Sequence, residues 1–243
     1  MSSASSSLRR SRASAFATAA AAVALLGQPP ASHATPAAQP RAVPAAGYLV
    51  WPQVAARKQP SAKAAVVRVV TQFDGEYQPR VVLALGVRLG GDGRPAWYRI
   101  SLPGRPNGTT GWVRANALEL RPMRHSIVID RSERVLTLRH HDRVLLRTRV
   151  AVGAPGMETP LGTFYVMRKF RPTAPILGAF AFETSAYSRL SEWPGGGVVG
   201  VHGTNQPWLL GQAVSHGCVR VENSAILKLA KLTPVGTPIR IVS

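Results

Sequence analysis

The sequence predicts a mostly-β protein: a small barrel followed by a second β domain that carries one short helix. Three observations predict it. Short apolar runs recur between turn signals along most of the chain. The 243 residues include 20 Pro and 22 Gly, a composition that favours many turns and short strands over long helices. Helical periodicity is confined to one stretch near the end of the chain. A hydrophobic content of 45% is enough to build packed cores and excludes a disordered polymer.

The elements follow in order. In the first domain, residues 46–122, Ala65–Val70 and Arg80–Leu85 read as strands. Gly90-Gly91-Asp92-Gly93 is a turn, Trp97–Leu102 alternates as a strand, and Pro106-Asn107-Gly108 turns the chain into a strand that starts at Gly111. Trp97 and Trp112 read as core residues. In the second domain, residues 123–243, Ser126–Asp130 opens a strand, Arg134–Arg139 alternates, and His140-His141-Asp142 turns into Val144–Val152. Gly153–Gly156 breaks the chain, and Thr159-Pro160-Leu161-Gly162 feeds the strand beginning at Thr163. Asn223 or Ser224 is placed to cap a helix with Ile226, Leu227 and Ala230 on one face, and Pro234 ends it. Ile239–Val242 is the last strand.

The first 34 residues read as an export address. Arg9, Arg10 and Arg12 form a positive segment, Ala15–Gly27 is apolar, and Ser32-His33-Ala34 is a small-x-small cleavage site. The apolar run is shorter than the ~20 residues a membrane span needs. Residues 35–45 read as an Ala/Pro-rich linker. The expectation is an exported protein, periplasmic or associated with the cell wall.

Lys and Arg number 30 against 11 Asp and Glu, a formal charge of +19 that is spread along the chain. Such a field draws polyanions, and an anionic cell envelope is the partner it suggests. No basic run interleaved with aromatics and no nucleic-acid-binding signature is present, so nucleic acid is not expected as a partner. The sequence leaves the oligomeric state open.

The chain holds a single cysteine, Cys218, so it has no internal disulfide framework. An exported protein that keeps one free thiol needs a reason for it. Cys218 stands among His202, His216 and Arg220. Neighbouring cations favour the nucleophilic thiolate, and an imidazole can take the thiol proton and later return one to a leaving amine. Gly203 and Gly217 let backbone approach a substrate and can aim N–H groups at a developing oxyanion. A metal site on His202, His216 and Cys218 lacks a fourth ligand, and His-x-Cys is a poor zinc spacing. No metal and no cofactor are expected. A buried structural cysteine with incidental histidines is the competing reading. From the residues alone, either His202 or His216 could serve as the base.

His202-Gly203-Thr204 followed by Ser215-His216-Gly217-Cys218-Val219-Arg220 resembles the signature of the L,D-transpeptidase catalytic domain of the YkuD type. Gly153–Gly156, Thr159–Phe164 and the closing Pro234–Ile239 fit the same family. The resemblance covers residues 125–243 and implies a YkuD-type β-sandwich. Trp97–Leu102, Pro106-Asn107-Gly108 and Gly111 to Leu118 resemble the closing half of a bacterial SH3-like barrel. The YkuD resemblance implies that Cys218 is the nucleophile and that His202 is the general base, oriented by the Gly203 carbonyl. It implies that His216, with the Gly217 and Cys218 N–H groups and Ser215 beside them, lines an oxyanion site. It implies that Arg220 faces anionic groups of a peptidoglycan stem peptide. The implied reaction joins stem peptides through a cysteine thioester. An L,D-carboxypeptidase, another cysteine wall hydrolase and an inert wall-binding protein are the alternatives. Wall hydrolases of the NlpC/P60 kind place Cys before His, the reverse of the order here.

Overall fold

A computed structural model of the chain describes residues 38–192 and 196–243. The address segment, residues 1–34, lies outside the described residues, as does the start of the linker. Among the described residues no helix is long and apolar enough to cross a membrane.

The fold is mostly β. The first sheet is built from β1 (Ala45–Leu49), β2 (Gln53–Arg57), β3 (Val66–Thr71), β4 (Val81–Leu89), β5 (Pro95–Ser101), β6 (Thr110–Arg114) and β7 (Leu118–Pro122). Its spatial order is β3-β2-β6-β5-β4-β1-β7. Tyr98, Ile100, Leu102, Val113 and Leu118 fill its core, and Trp97 is buried as well. The sequence marked four of these seven strands. It missed β1 and β2, whose Ala and Gly carry little strand preference, and β7, where Glu119 and Pro122 weaken the signal. β1 is held by neighbours on both sides, β4 and β7, and packing replaces propensity there.

The second sheet contains β8 (His125–Asp130), β9 (Val135–His140), β10 (Arg143–Gly153), β11 (Gly162–Phe170), β12 (Ala181–Tyr187), β13 (Val198–His202), β14 (Ala213–Ser215), β15 (Val219–Val221) and β16 (Pro238–Val242). The order is β14-β10-β15-β13-β12-β11-β16-β8-β9, and a further β9–β10 pairing closes the sheet on itself. Ile127, Leu136, Leu138, Val150, Phe164, Phe182, Val201 and Val219 pack inside it.

One helix, α1 (Asn223–Leu232), closes against this core through Ala225, Ile226 and Leu229. Ile226 and Ala230, both expected on that face, pack on the core as predicted, Ala230 only in part, whereas Leu227 does not join it and Ala225 and Leu229 do. The structure also corrects the expected cap. Glu222 occupies the cap position without a side-chain cap bond, and Asn223 is already helical. Its amide is used elsewhere, as described below.

The two sheets meet across a shared apolar seam. Ala46, Val81 and Leu83 of the first sheet pack on Tyr165 of β11, with Met123, Met167 and Val235 around them. Tyr165 is fully buried, and its hydroxyl donates to the Val81 carbonyl at 3.0 Å. Burial pushes the phenol pKa upward, so the hydroxyl stays a donor. At the rim, the Asn107 amide donates to the Tyr187 carbonyl at 2.7 Å and accepts from the Tyr187 N–H at 3.0 Å. Arg168 bonds both Glu183 and, across the seam, Glu76.

Replacing Tyr165 with Phe keeps the ring and removes the only donor that the side chain sends across the seam. A buried carbonyl left without that donor costs roughly 1–3 kcal/mol. Tyr165→Ala should cost more, about 3–5 kcal/mol, through the cavity it opens. Thermal unfolding should rank wild type above Tyr165→Phe above Tyr165→Ala. Equal melting of wild type and the Phe variant would mean that the seam bond contributes nothing.

Candidate active site

The site is organised by β13 and β15, which run parallel with Val201 opposite Val219 and His202 opposite Arg220. Side chains alternate along a strand. Val199, Val201, Val219 and Val221 therefore enter the core. Gly200, His202 and Arg220 take the other face, and Cys218, one residue before β15, continues it. The Gly200 N–H donates to Cys218 Sγ at 3.3 Å. A Cβ placed on Gly200 would lie 3.6 Å from His202 Cδ2 and 3.8 Å from Cys218 Sγ. Imidazole and thiol thus look onto one small gap that glycine leaves open.

His202 is buried, and its Nδ1 lies 2.6 Å from the Gly203 carbonyl oxygen. A carbonyl only accepts, so Nδ1 carries the proton and Nε2 is left as the basic nitrogen. Burial pushes the imidazole pKa down to about 4, with Arg220 adding to the shift and the Gly203 and Leu177 carbonyls opposing it. Burial pushes the Cys218 thiol pKa upward, against the smaller pull of the Gly200 N–H and Arg220. At neutral pH the resting pair is a thiol and a neutral imidazole. Such a pair needs the base to remove the proton as the sulfur attacks, because no thiolate stands ready.

The turn that presents Cys218 is tied from several sides. Ser215 is buried at the end of β14, and its Oγ donates to the Cys218 carbonyl at 2.5 Å and accepts the Gly217 N–H at 3.1 Å. The Gly217 N–H is therefore engaged within the turn, and the contribution of Gly217 is conformational. Its φ is +116°, and a Cβ there would meet the Ser188 Cβ at 2.9 Å. From β10, the Ala154 N–H donates to the Ser215 carbonyl at 2.8 Å. Thr159, fully buried, accepts the Gly153 N–H at 2.9 Å and donates to the Gly217 carbonyl at 2.8 Å. The segments 153–156 and 159–164, prominent in the sequence, thus act as a frame around the thiol-bearing turn.

His216 sits exposed on that turn, while His202 shares the gap beside the sulfur. Arg220 is half-buried in β15, and its Nη1 donates to the Gln206 side-chain oxygen at 3.0 Å.

Sequence reading missed a second brace. Asn223 Oδ1 accepts the Ala179 N–H at 2.9 Å and the Thr204 N–H at 3.2 Å, while Nδ2 donates to the Thr204 carbonyl at 3.0 Å. A Cβ on Gly203 would strike Asn223 Oδ1 at 2.2 Å. The amide binds the loop after His202 to the loop before β12, and so fixes the carbonyl that holds the imidazole. An Asn at a helix start is the usual signal of a cap, which concealed this role.

The sequence model of the YkuD family, described as the L,D-transpeptidase catalytic domain, matches residues 124–241. That span contains every residue of the site. YkuD of Bacillus subtilis is 32% identical over 117 residues, which cover 48% of this chain and 65% of that protein. YkuD of Bacillus licheniformis is 34% identical over 118 residues, with 48% and 65% covered. The chain thus spans just under two thirds of each of these relatives. An L,D-transpeptidase structure from Mycobacterium smegmatis aligns at a TM-score of 0.45 and 14% identity, covering 68% of this chain and 91% of that one.

Two outcomes follow from the geometry. Asn223→Ala leaves three backbone groups without their partner, so it should lower stability by about 1–3 kcal/mol. It should also slow any reaction that uses His202, whereas Ser224→Ala on the exposed side of α1 should do neither. Unfolding midpoints and Cys218 alkylation rates of the two variants check this. The second outcome concerns pH. The folded imidazole protonates near 4 and the unfolded one near 6.5, so between those values the unfolded state binds more protons. The stability associated with His202 is intact above about 6.5 and falls as pH drops toward 4, by on the order of 2 kcal/mol at pH 5. Unfolding curves for wild type and His202→Gln from pH 7 to 5 should diverge by that amount. Parallel curves would refute the lowered pKa.

Proposed function

We propose that the protein is an exported peptidoglycan L,D-transpeptidase in which residues 123–243 carry the chemistry. We assign residues 46–122 to an SH3-like module that faces the wall. The observation that carries this reading is the pairing of a lone thiol and a tautomer-fixed imidazole across the gap at Gly200. The family match over 124–241 and the positive charge of the chain support it.

In this reading Cys218 Sγ attacks the carbonyl of the third residue of a donor tetrapeptide stem. His202 Nε2 takes the thiol proton as the C–S bond forms. The negative charge that develops on the carbonyl oxygen is met by the Cys218 N–H, with His216 beside it. Collapse breaks the C–N bond, the imidazolium returns its proton to the departing amine of D-Ala, and a thioester remains. The amine of a neighbouring stem then attacks the thioester, gives its proton to Nε2, and releases the sulfur as a new amide forms. Water in place of that amine would give carboxypeptidase activity. Placement of the acceptor and exclusion of water decide between the two outcomes. Gly217 sets the turn, Ser215 locks it, and Gly203 orients the base. Arg220 borders the pair and, through its charge, favours thiolate over thiol while holding the imidazole neutral.

Intact-mass measurement after exposure to a carbapenem, whose strained carbonyl invites the same attack, should show one adduct, mapped to Cys218. Cys218→Ala should show none. His202→Ala should acylate about 10²–10⁴ more slowly, the usual loss when a general base is removed. Purified tetrapeptide muropeptides should yield cross-linked dimers with release of D-Ala. Trimming without dimers would assign the carboxypeptidase reaction, and an adduct on Ser or Lys would remove Cys218 as the nucleophile.

A further inference from the structure

A cleft of about 700 Å³ opens at the junction of the two sheets. Its lining includes the 105–107 loop of the first sheet, Tyr187 and Arg189, and Arg131 and Glu158 of the second. Three guanidinium groups, those of Arg105, Arg131 and Arg189, line it against the single carboxylate of Glu158.

Two of these arginines are fixed by carbonyl groups, which fill donors without cancelling charge. Arg105 donates to the carbonyls of Ser188 at 2.9 Å and Gly196 at 3.0 Å, and its guanidinium lies 5.1 Å from the centre of the Tyr187 ring. Arg131 donates to the Thr159 carbonyl at 2.6 Å. Glu158 already accepts the Gly156 N–H at 2.9 Å. That bond, with Arg189 and Arg131 nearby, holds its carboxyl below the usual carboxylate range, so it stays ionised and leaves the cleft with a net positive charge.

The cleft also borders the thiol-bearing turn on both sides. Ser188, in its lining, packs against Gly217. Thr159, next to Glu158, donates to the Gly217 carbonyl. Gly217 directly precedes Cys218. The cleft lining is thus one buried side chain, Ser188, away from the residue that precedes Cys218. Arg220, the arginine that the sequence singled out for anionic groups, has its Nη1 engaged with Gln206.

We infer that this junction cleft is a carboxylate-binding subsite, in which Arg131 and Arg189 hold a free carboxylate of the stem peptide while Arg105 braces the wall. The inference rests on the transpeptidase reading for the identity of the peptide. It makes the first sheet part of the substrate site.

The test is titration calorimetry on the full chain carrying Cys218→Ala, so that nothing turns over. The ligands are a stem tetrapeptide with free side-chain carboxylates and the same peptide with those carboxylates amidated. The free-acid peptide should bind about 10-fold tighter or more, the scale of charge-assisted hydrogen bonds. Arg189→Gln, at an exposed position, should reduce that preference, and Arg131→Gln with Arg189→Gln should abolish it. Arg143→Gln, exposed at the opposite end of the β9–β10 hairpin from Arg131, should preserve it. An equal loss in Arg143→Gln would assign the preference to the general charge of the chain and overturn the subsite. So would an undiminished preference in the double variant, or no binding of either peptide. Polyphosphate held by the same arginines while the stem peptide is ignored would overturn it as well. Release of D-Ala by the wild-type chain reports separately on the transpeptidase reading. Its failure alongside retained carboxylate discrimination would remove the reaction and leave the subsite standing.

Discussion

The parallel pairing of β13 with β15 is the constraint on which the site depends. It sets Val201 against Val219 and His202 against Arg220. With that register fixed, the valines fall on the core side, and the imidazole, the guanidinium and the thiol fall on the other. A slip of one residue would turn four valines toward solvent and bury a cation, so the hydrophobic core enforces the geometry of the polar face. The pair is parallel and therefore needs a crossover between its strands. Residues 203–218 supply it, with β14 inside them, and the loop that holds Gly203, Thr204 and Gln206 belongs to that crossover. The same chain segment thus connects the strands, orients the His202 imidazole and engages Arg220.

Burial decides the electrostatics. Arg220 pulls the thiol and the imidazole in the same downward direction, yet the thiol pKa still rises and the imidazole falls to about 4. Desolvation outweighs the neighbouring charge for the sulfur and adds to it for the ring. A preformed thiolate–imidazolium pair would place two charges in this buried gap, whereas the neutral pair places none. The consequence is a thiol that stays protonated in the resting pair.

Much of this was legible in the chain. His202-Gly203-Thr204 and the Ser215–Arg220 box single out the residues that the fold brings together around Gly200. Thr159, Gly153 and Ala154 stood out as part of a turn, but their purpose did not, because bonds such as Thr159 to Gly217 join residues 58 positions apart. Asn223 was misread for a clear reason. At a helix start a side-chain amide has two outlets, its own backbone or a neighbouring loop, and sequence position does not distinguish them. The choice between His202 and His216 was also beyond the sequence. Both lie near Cys218 along the chain; a Cβ on Gly200 would lie 3.6 Å from the His202 ring and 3.8 Å from Cys218 Sγ, while His216 is exposed on the turn. β1 was missed because Ala45, Ala46 and Gly47 are chosen for closeness. A Cβ on Gly47 would fall 1.8 Å from the Glu119 carbonyl oxygen of β7.

The seam between the sheets gives the smaller sheet a role beyond tethering. Its apolar part is centred on Tyr165, in the strand β11 that pairs with β12, which in turn pairs with β13. Its polar rim is formed by Asn107 and Arg105, which hold Tyr187, Ser188 and Gly196 by their backbones. Ser188 then presses on Gly217. A continuous set of contacts therefore runs from the 105–107 loop through residues 187–188 to Gly217, the residue before Cys218. Backbone-directed bonds of this kind depend on where the loop stands and little on which side chains it carries. The first sheet can thus hold the wall of the site in place while the exposed residues of residues 188–192 remain free to vary.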